Sequence, residues 1–157
     1  LEPINAAPGS YFLVYQMHKD PALCAYAKAA AKAAGKPLLR LSASVHQATW
    51  GGKFIYAPTP GQFLHYIKNA ACVITDSFHG TAFSLRFGVP FAEVLPTNYT
   101  GTCNHSLLTL TGLQSRLVTD PADTALTATP INYAPVHKKI EAARTASLSL
   151  LREMIEK

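Results

Sequence analysis

The chain has 157 residues, 48% of them hydrophobic and 15% charged, with a net charge of +5. One domain of this size can remove roughly 70% of its unfolded surface from water without a disulfide or metal staple, and the composition excludes a disordered or fibrous protein. No apolar run reaches the roughly 18 residues of a membrane helix. Lys and Arg stand singly except for Lys138 and Lys139, a pattern that argues for a small anionic ligand or a solvated surface and against a nucleic-acid groove.

The opening "LEPINAAPGS", residues 1–10, reads as a linker, so residues 11–157 are expected to form one domain cut from a longer protein. "YFLVYQM", residues 11–17, is a short β-rich run, followed by Asp20 and Pro21 as a helix N-cap and first-turn pair. Leu23, Tyr26, Ala27, Ala30 and Ala34 recur at helical spacing until Gly35 and Pro37 stop them. "PLLRLSA", residues 37–43, is the second strand. Residues 44–53 form a loop with His46, Trp50, Gly51 and Gly52, where Trp50 suits a sugar-stacking ring and a core or lid anchor equally. A short "FIYA" strand follows.

Thr59, Pro60 and Gln62 have the pattern of a capping box with proline in the first turn, and Phe63, Leu64 and Ile67 give that helix its inner face. "CVITD" is nearly all apolar before Asp76, as expected of a central strand covered on both sides. A helix over residues 79–87 ends at Gly88, with Pro90 behind it, and "FAEVL" supplies a fifth strand. The stretch "LPTNYTGTCNHSLLTLTGL" reads as a loop. A last amphipathic helix carries Val136, Ile140, Ala143, Leu150, Leu151 and Met154. Strand alternating with helix five times predicts a Rossmann-like α/β domain, a parallel sheet with helices on both faces in the order 3-2-1-4-5.

Ligands of such sheets sit beyond the carboxyl ends of the strands where the order reverses, here between strands one and four. That crevice would bring together Gln16, His18 and Lys19 after the first strand with Asp76, Ser77, Phe78 and His79 after the fourth. A helix starting near His79 offers unpartnered N–H groups to an anion, with Gly80 permitting close approach and Thr81 adding a hydroxyl. Ser77 and Asp76 also suit plain helix capping. Cys24, Cys72 and Cys103 are odd in number and lack CxxC spacing, so neither a disulfide framework nor a zinc site is signalled, and a reducing compartment fits. Cys72 reads as a small core residue. His46, His65, His105 and His137 have no partners at metal-ligand spacing. Asn98-Tyr99-Thr100 and Asn104-His105-Ser106 match the N-glycosylation tripeptide, which carries meaning only with secretion.

"VITDSFHGTAFSLRFGVPF" resembles the signature of the polysaccharide pyruvyl transferase family. The similarity extends to "YFLVYQMHKD", "YAPTPGQFLHYIKNA" and "LTGLQSRL" in the same order. The resemblance implies the C-terminal lobe of a two-lobed, GT-B-like fold whose N-terminal lobe lies elsewhere in the protein. It implies transfer of a pyruvyl group from phosphoenolpyruvate to two hydroxyls of a sugar or lipid-linked glycan, forming a ketal, with no metal or other cofactor. The cellular setting expected from it is the cytoplasm, at or near the inner face of the membrane, with no membrane span. Carried over by residue, the donor-binding segment falls on Ser77, Phe78 and His79, with Gly80 and Thr81 behind. His79 and Asp76 are the candidates for proton transfer. Many relatives carry a basic residue where this chain has Cys103, Asn104 and His105, so the missing charge would have to come from Lys19, Lys53 or Arg86. The competing expectations are a nucleotide-sugar glycosyltransferase lobe, for which Glu93 is a poor ribose ligand, and a non-catalytic anion-binding module.

Overall fold

The structure, a computed structural model, describes residues 7–96 and 101–156. Five strands, β1 (Phe12–Tyr15), β2 (Leu38–Ser42), β3 (Lys53–Tyr56), β4 (Cys72–Thr75) and β5 (Phe91–Glu93), form one sheet in the order β3-β2-β1-β4-β5. Every neighbouring pair is parallel, with Tyr15 opposite Leu41 on one side and Thr75 on the other. This is the doubly wound order expected from the sequence. Its switch point lies between β1 and β4, where the first three strands build outward one way and the last two the other.

Alternation along the strands divides the core between the two faces. Leu13, Leu39, Leu41, Val73 and Phe91 point to one side, where they meet Tyr66, Ile67, Leu85, Leu108 and Val136. Those partners come from helices α2 (Pro60–Lys68), α3 (Phe78–Phe87), α4 (Gly101–Thr111) and α6 (Tyr133–Ile155). Phe12, Val14, Cys72, Ile74 and Ala92 point to the other and pack on Leu23, Tyr26, Ala27, Ala30 and Ala31 of α1 (Pro21–Ala33). The run of alanines in α1 thus lets that helix lie close to the sheet. A one-turn helix, α5 (Ala125–Ala128), borders β5, and Arg116 ties the two by donating to Phe91 O and Leu126 O.

Local chemistry sets the boundaries. Asp20 caps α1 by accepting from the amides of Ala22 and Leu23, and Thr59 and Gln62 form the reciprocal capping box of α2. Gly88 ends α3 at φ 69°, a left-handed conformation that a side chain would strain.

Three expectations need correction. The stretch after β5 is not all loop, because Gly101–Thr111 is the helix α4, with Leu108 and Asn104 on its inner side. Residues 45–50 form a 3-10 turn. In α6 only Val136 is buried, while Leu150, Leu151 and Met154 are exposed. Twenty-three residues at 1.5 Å each carry this helix beyond the core that its first turns cover. No helix among the described residues is long and apolar enough to cross a membrane.

Candidate active site at the β1–β4 switch point

The chain leaving β1 and the chain leaving β4 are joined by one carboxylate. Asp76 Oδ1 accepts from Met17 N at 2.7 Å, and Oδ2 accepts from His18 N at 2.9 Å and contacts His18 Nδ1 at 3.0 Å. Asp76 is 4% exposed. A buried charge of this kind needs donors on its lone pairs, and two backbone amides plus an imidazole supply them. With Asp76 ionised, the contact fixes the proton of neutral His18 on Nδ1 and makes Nε2 the basic nitrogen. Asp76 is thus held by the turn after β1, and its side chain pairs with His18 rather than with His79. Nor does Asp76 or Ser77 cap α3. Ser77 occupies the N-cap position, but its side chain makes no capping bond.

That omission leaves the helix start open. The amide of Ser77 donates to Thr75 Oγ1 at 3.0 Å, and that of Thr81 donates to Ser77 O at 3.0 Å. Between them, the amides of Phe78, His79 and Gly80 have no acceptor among the described residues. Three unpartnered N–H groups at the positive end of α3 form an anion cradle. The Thr81 amide is engaged within the helix.

His79 and Phe78 are both exposed, their rings edge to face with centroids 5.9 Å apart. A cavity of about 480 Å³ is lined by His18, Asp76, Ser77, Phe78 and His79, with Met17, Cys103 and Asn104 completing it. The imidazoles of His79 and His18 both line this cleft.

Other expected site residues do not reach this cleft. Gln16 is buried. Its Nε2 donates to His18 O and Asp20 O, and its Oε1 accepts from Arg40 at 2.8 Å and from the Cys24 thiol at 3.2 Å. It shapes the turn that carries His18 without facing a ligand. The Thr81 hydroxyl is also buried and bonds to the Glu93 carboxyl and Ser77 O. At Gly80 a Cβ would lie 2.4 Å from Thr75 Oγ1, so glycine serves helix-to-strand packing there and not approach of a ligand. Lys19 lines a different cavity of about 370 Å³ with Cys24, Lys28 and Trp50. Lys53 opens β3 at the far edge of the sheet, and Arg86 lies in the last turn of α3, so neither supplies charge at the cleft. Asn104 is buried, its amide donating to Asp76 O and to Glu93, which leaves it no access for glycosylation. The other matching tripeptide, at Asn98, lies outside the described residues.

Two polar core residues support the site although the sequence did not single them out for it. Arg40 is fully buried, donating to Gln16, Gly51 O and the Cys24 sulfur, and burial lowers its pKa. Glu93 ends β5 wholly inside, and burial pushes its carboxyl up to about 8 despite its bonds to Thr81 and Asn104. Both were visible as lone charges in otherwise apolar strands. Among the described residues, no three His, Cys, Asp or Glu side chains gather as a metal site.

A Rossmann-like α/β fold with unpartnered helix amides and two histidines at its switch point is the arrangement of a ligand-binding α/β domain. Residues 36–98, from the start of β2 through β5, match the family model for polysaccharide pyruvyl transferase. This bears out the resemblance read from the string around Asp76, and the family is one of transferases. No curated protein matches the chain. Among solved structures, a mutant O-GlcNAc transferase of Thermobaculum terrenum superposes with a TM-score of 0.59 at 13% identity, over 89% of this chain and 33% of that one. A protein described as a putative UDP-N-acetylglucosamine 2-epimerase of Listeria monocytogenes gives 0.44 at 13% identity, over 90% and 45%. The chain therefore spans about a third of the length of the first of these structures. The likeness to the first is one of fold alone.

Proposed function

We propose that this chain is the donor-binding, C-terminal lobe of a polysaccharide pyruvyl transferase, one that moves a pyruvyl group from phosphoenolpyruvate to two hydroxyls of a glycan sugar. The observation that carries the reading is the cleft lined by His79 and the His18–Asp76 pair, beside the unpartnered amides at the start of α3. It lies at the switch point, on the strand-to-helix corner inside the matched segment. Phosphate or carboxylate of the donor would accept from the amides of Phe78, His79 and Gly80, which replace the missing basic side chain.

In this scheme the vinyl CH₂ of the donor gains a proton, and the neighbouring carbon becomes electrophilic. A sugar hydroxyl adds there, forming one C–O bond and losing its proton to a base. The C–O bond to phosphate then breaks, its electron pair leaving with the phosphate, which the amides stabilise. The second hydroxyl closes the ring and gives up the other proton. His79 is the residue we assign to proton transfer at the donor, and His18, oriented by Asp76, is the second imidazole of the pair. Each such group is worth about 10² to 10⁴ in rate. No metal or other cofactor takes part in the scheme, and its setting is the cytoplasm, at or near the inner face of the membrane.

The exposed apolar residues Leu148, Leu151 and Ile155 of α6 support the existence of a further lobe that covers them. The nucleotide-sugar alternative draws no support from Glu93, which is sealed beneath Thr81 and Asn104 and out of reach of a ribose. The test is phosphate release by the intact protein from phosphoenolpyruvate. It should depend on added sugar, and binding of nucleotide sugars without any response to phosphoenolpyruvate would replace this reading by the alternative.

A further inference from the structure

His79 borders a second cavity, of about 440 Å³, and among the described residues it is the one that lines both. Tyr15, Ser42 and Ala43 bring to it the carboxyl ends of β1 and β2, and Ala57 and Pro58 bring the turn after β3. Phe63 of α2 closes its side. Such a volume is within the roughly 300–1,000 Å³ of small-molecule sites.

The two cavities differ in charge. The Asp76 cleft has a carboxylate and an imidazole pair, beside unpartnered amides. The second has no Lys, Arg, Asp or Glu among its described lining residues, so it suits a neutral group. Its walls are ring and proline faces, with Tyr15 and Phe63 edge to face at 4.8 Å. Such faces pack on the C–H side of a sugar ring while hydroxyls point elsewhere. Polar side chains available for those hydroxyls include His79 and Ser42. The Ser42 hydroxyl accepts from Ser44 N at 3.0 Å, and its own proton has no acceptor among the described residues.

The rim is also conformationally set. Ala57 adopts φ 42°, alone among the described non-glycine residues in the left-handed region, and its amide is held by Ser42 O at 2.9 Å. A strained residue maintained at the lip of a cavity marks a shape that the surrounding structure enforces.

We infer that this cavity is a sugar subsite, taking one neutral pyranose ring of the glycan against Tyr15 and Phe63 with hydroxyls directed to Ser42 and His79. Naming that ring the acceptor rests on the pyruvyl-transfer reading, whereas the binding of a neutral sugar does not. With donor and sugar on either side of one imidazole, His79 is within reach of both the vinyl carbon and the attacking hydroxyl.

Ala43 is exposed at the rim, so Ala43→Phe fills the cavity without disturbing the core, and Ala43→Ser leaves the space open as a control. In the intact protein, Ala43→Phe should raise the KM for the sugar by about tenfold or more while the KM for phosphoenolpyruvate stays unchanged. An unchanged sugar KM, or a rise in both, would overturn the inference. A second arm needs no turnover: binding of methyl glycopyranosides and of inorganic phosphate is followed by ligand-observed NMR. Glycoside binding should weaken in Ala43→Phe and persist in Ala43→Ser, with phosphate binding intact throughout. Glycoside binding that is absent from the unmodified protein, or indifferent to the filled cavity, sinks the subsite. If the unmodified protein releases no phosphate from phosphoenolpyruvate, the pyruvyl reading falls alone and the binding arm still decides this one.

Discussion

The carboxylate of Asp76 holds the imidazole of His18, 58 positions distant in sequence and 3.0 Å away in space. It also fixes the backbone on which that imidazole stands, through Met17 N and His18 N. In the proposed reaction Asp76 is thus a positioning residue that acts through His18. Asp76→Asn and His18→Gln should each lower kcat by about 10² or more. As members of one unit they should be non-additive, with the double variant losing less than the sum of the two by a coupling of about 0.5–3 kcal/mol. A double-mutant cycle on kcat measures this, and strict additivity would dissolve the pair.

His79 stands in solvent at the second position of α3 and supports no core contact. His79→Ala should therefore leave the melting temperature unchanged while lowering the rate of phosphate release by at least about 10². Differential scanning calorimetry and a phosphate-release assay on the same preparation check the two halves. Full activity in this variant would remove His79 from the chemistry.

The parts of the fold that were legible in sequence are those decided by local chemistry. Asp20-Pro21 and the Thr59, Pro60, Gln62 cap act within one turn, so their pattern identifies them before any tertiary contact exists. Strand order followed from handed crossovers, and the string from Asp76 to His79 stood out because it put polar groups at the end of an apolar strand. The partners of those groups were not legible. Whether Asp76 turns to His18 or to His79 depends on how β1 and β4 lie in register, and Gln16 and Thr81 face inward because buried neighbours claim them. The α4 helix was hidden by threonines and glycines of low helical propensity, which Leu108 and Asn104 override by packing inward. An amphipathic pattern in α6 named an apolar face without saying what covers it. The charges of Arg40 and Glu93, isolated in "PLLRLSA" and "FAEVL", were the available sign that polar networks back the site.

Gly80 is constrained by Thr75. The Thr75 hydroxyl donates to Tyr15 O at 2.6 Å and accepts from Ser77 N at 3.0 Å, so it cannot swing away from a new methyl group 2.4 Å distant. Gly80→Ala must push α3 off β4 or break those bonds. The expected cost is about 1–3 kcal/mol, as for other overpacked sites, read as a lower denaturant midpoint at unchanged slope. A Gly80→Ala variant as stable as the parent would show that α3 can shift freely.

Glu93 should make stability depend on pH in a defined window. Burial raises its carboxyl in the folded chain from 4.5 to about 8, so above 4.5 the unfolded chain gives up a proton that the folded chain still holds. Stability from this group is therefore complete below pH 4.5, declines as pH rises, and is lost by about 8. Neutral Glu93 can accept from Asn104 and donate to Thr81, whose own proton then goes to Ser77 O, and glutamine reproduces that set of bonds. Glu93→Gln should melt with the parent near pH 4.5 and above it at pH 9, with the gap opening across the interval between. Melting curves at unit pH steps read it directly, and parallel curves for the two proteins would mean that Glu93 is ionised in the fold at neutral pH.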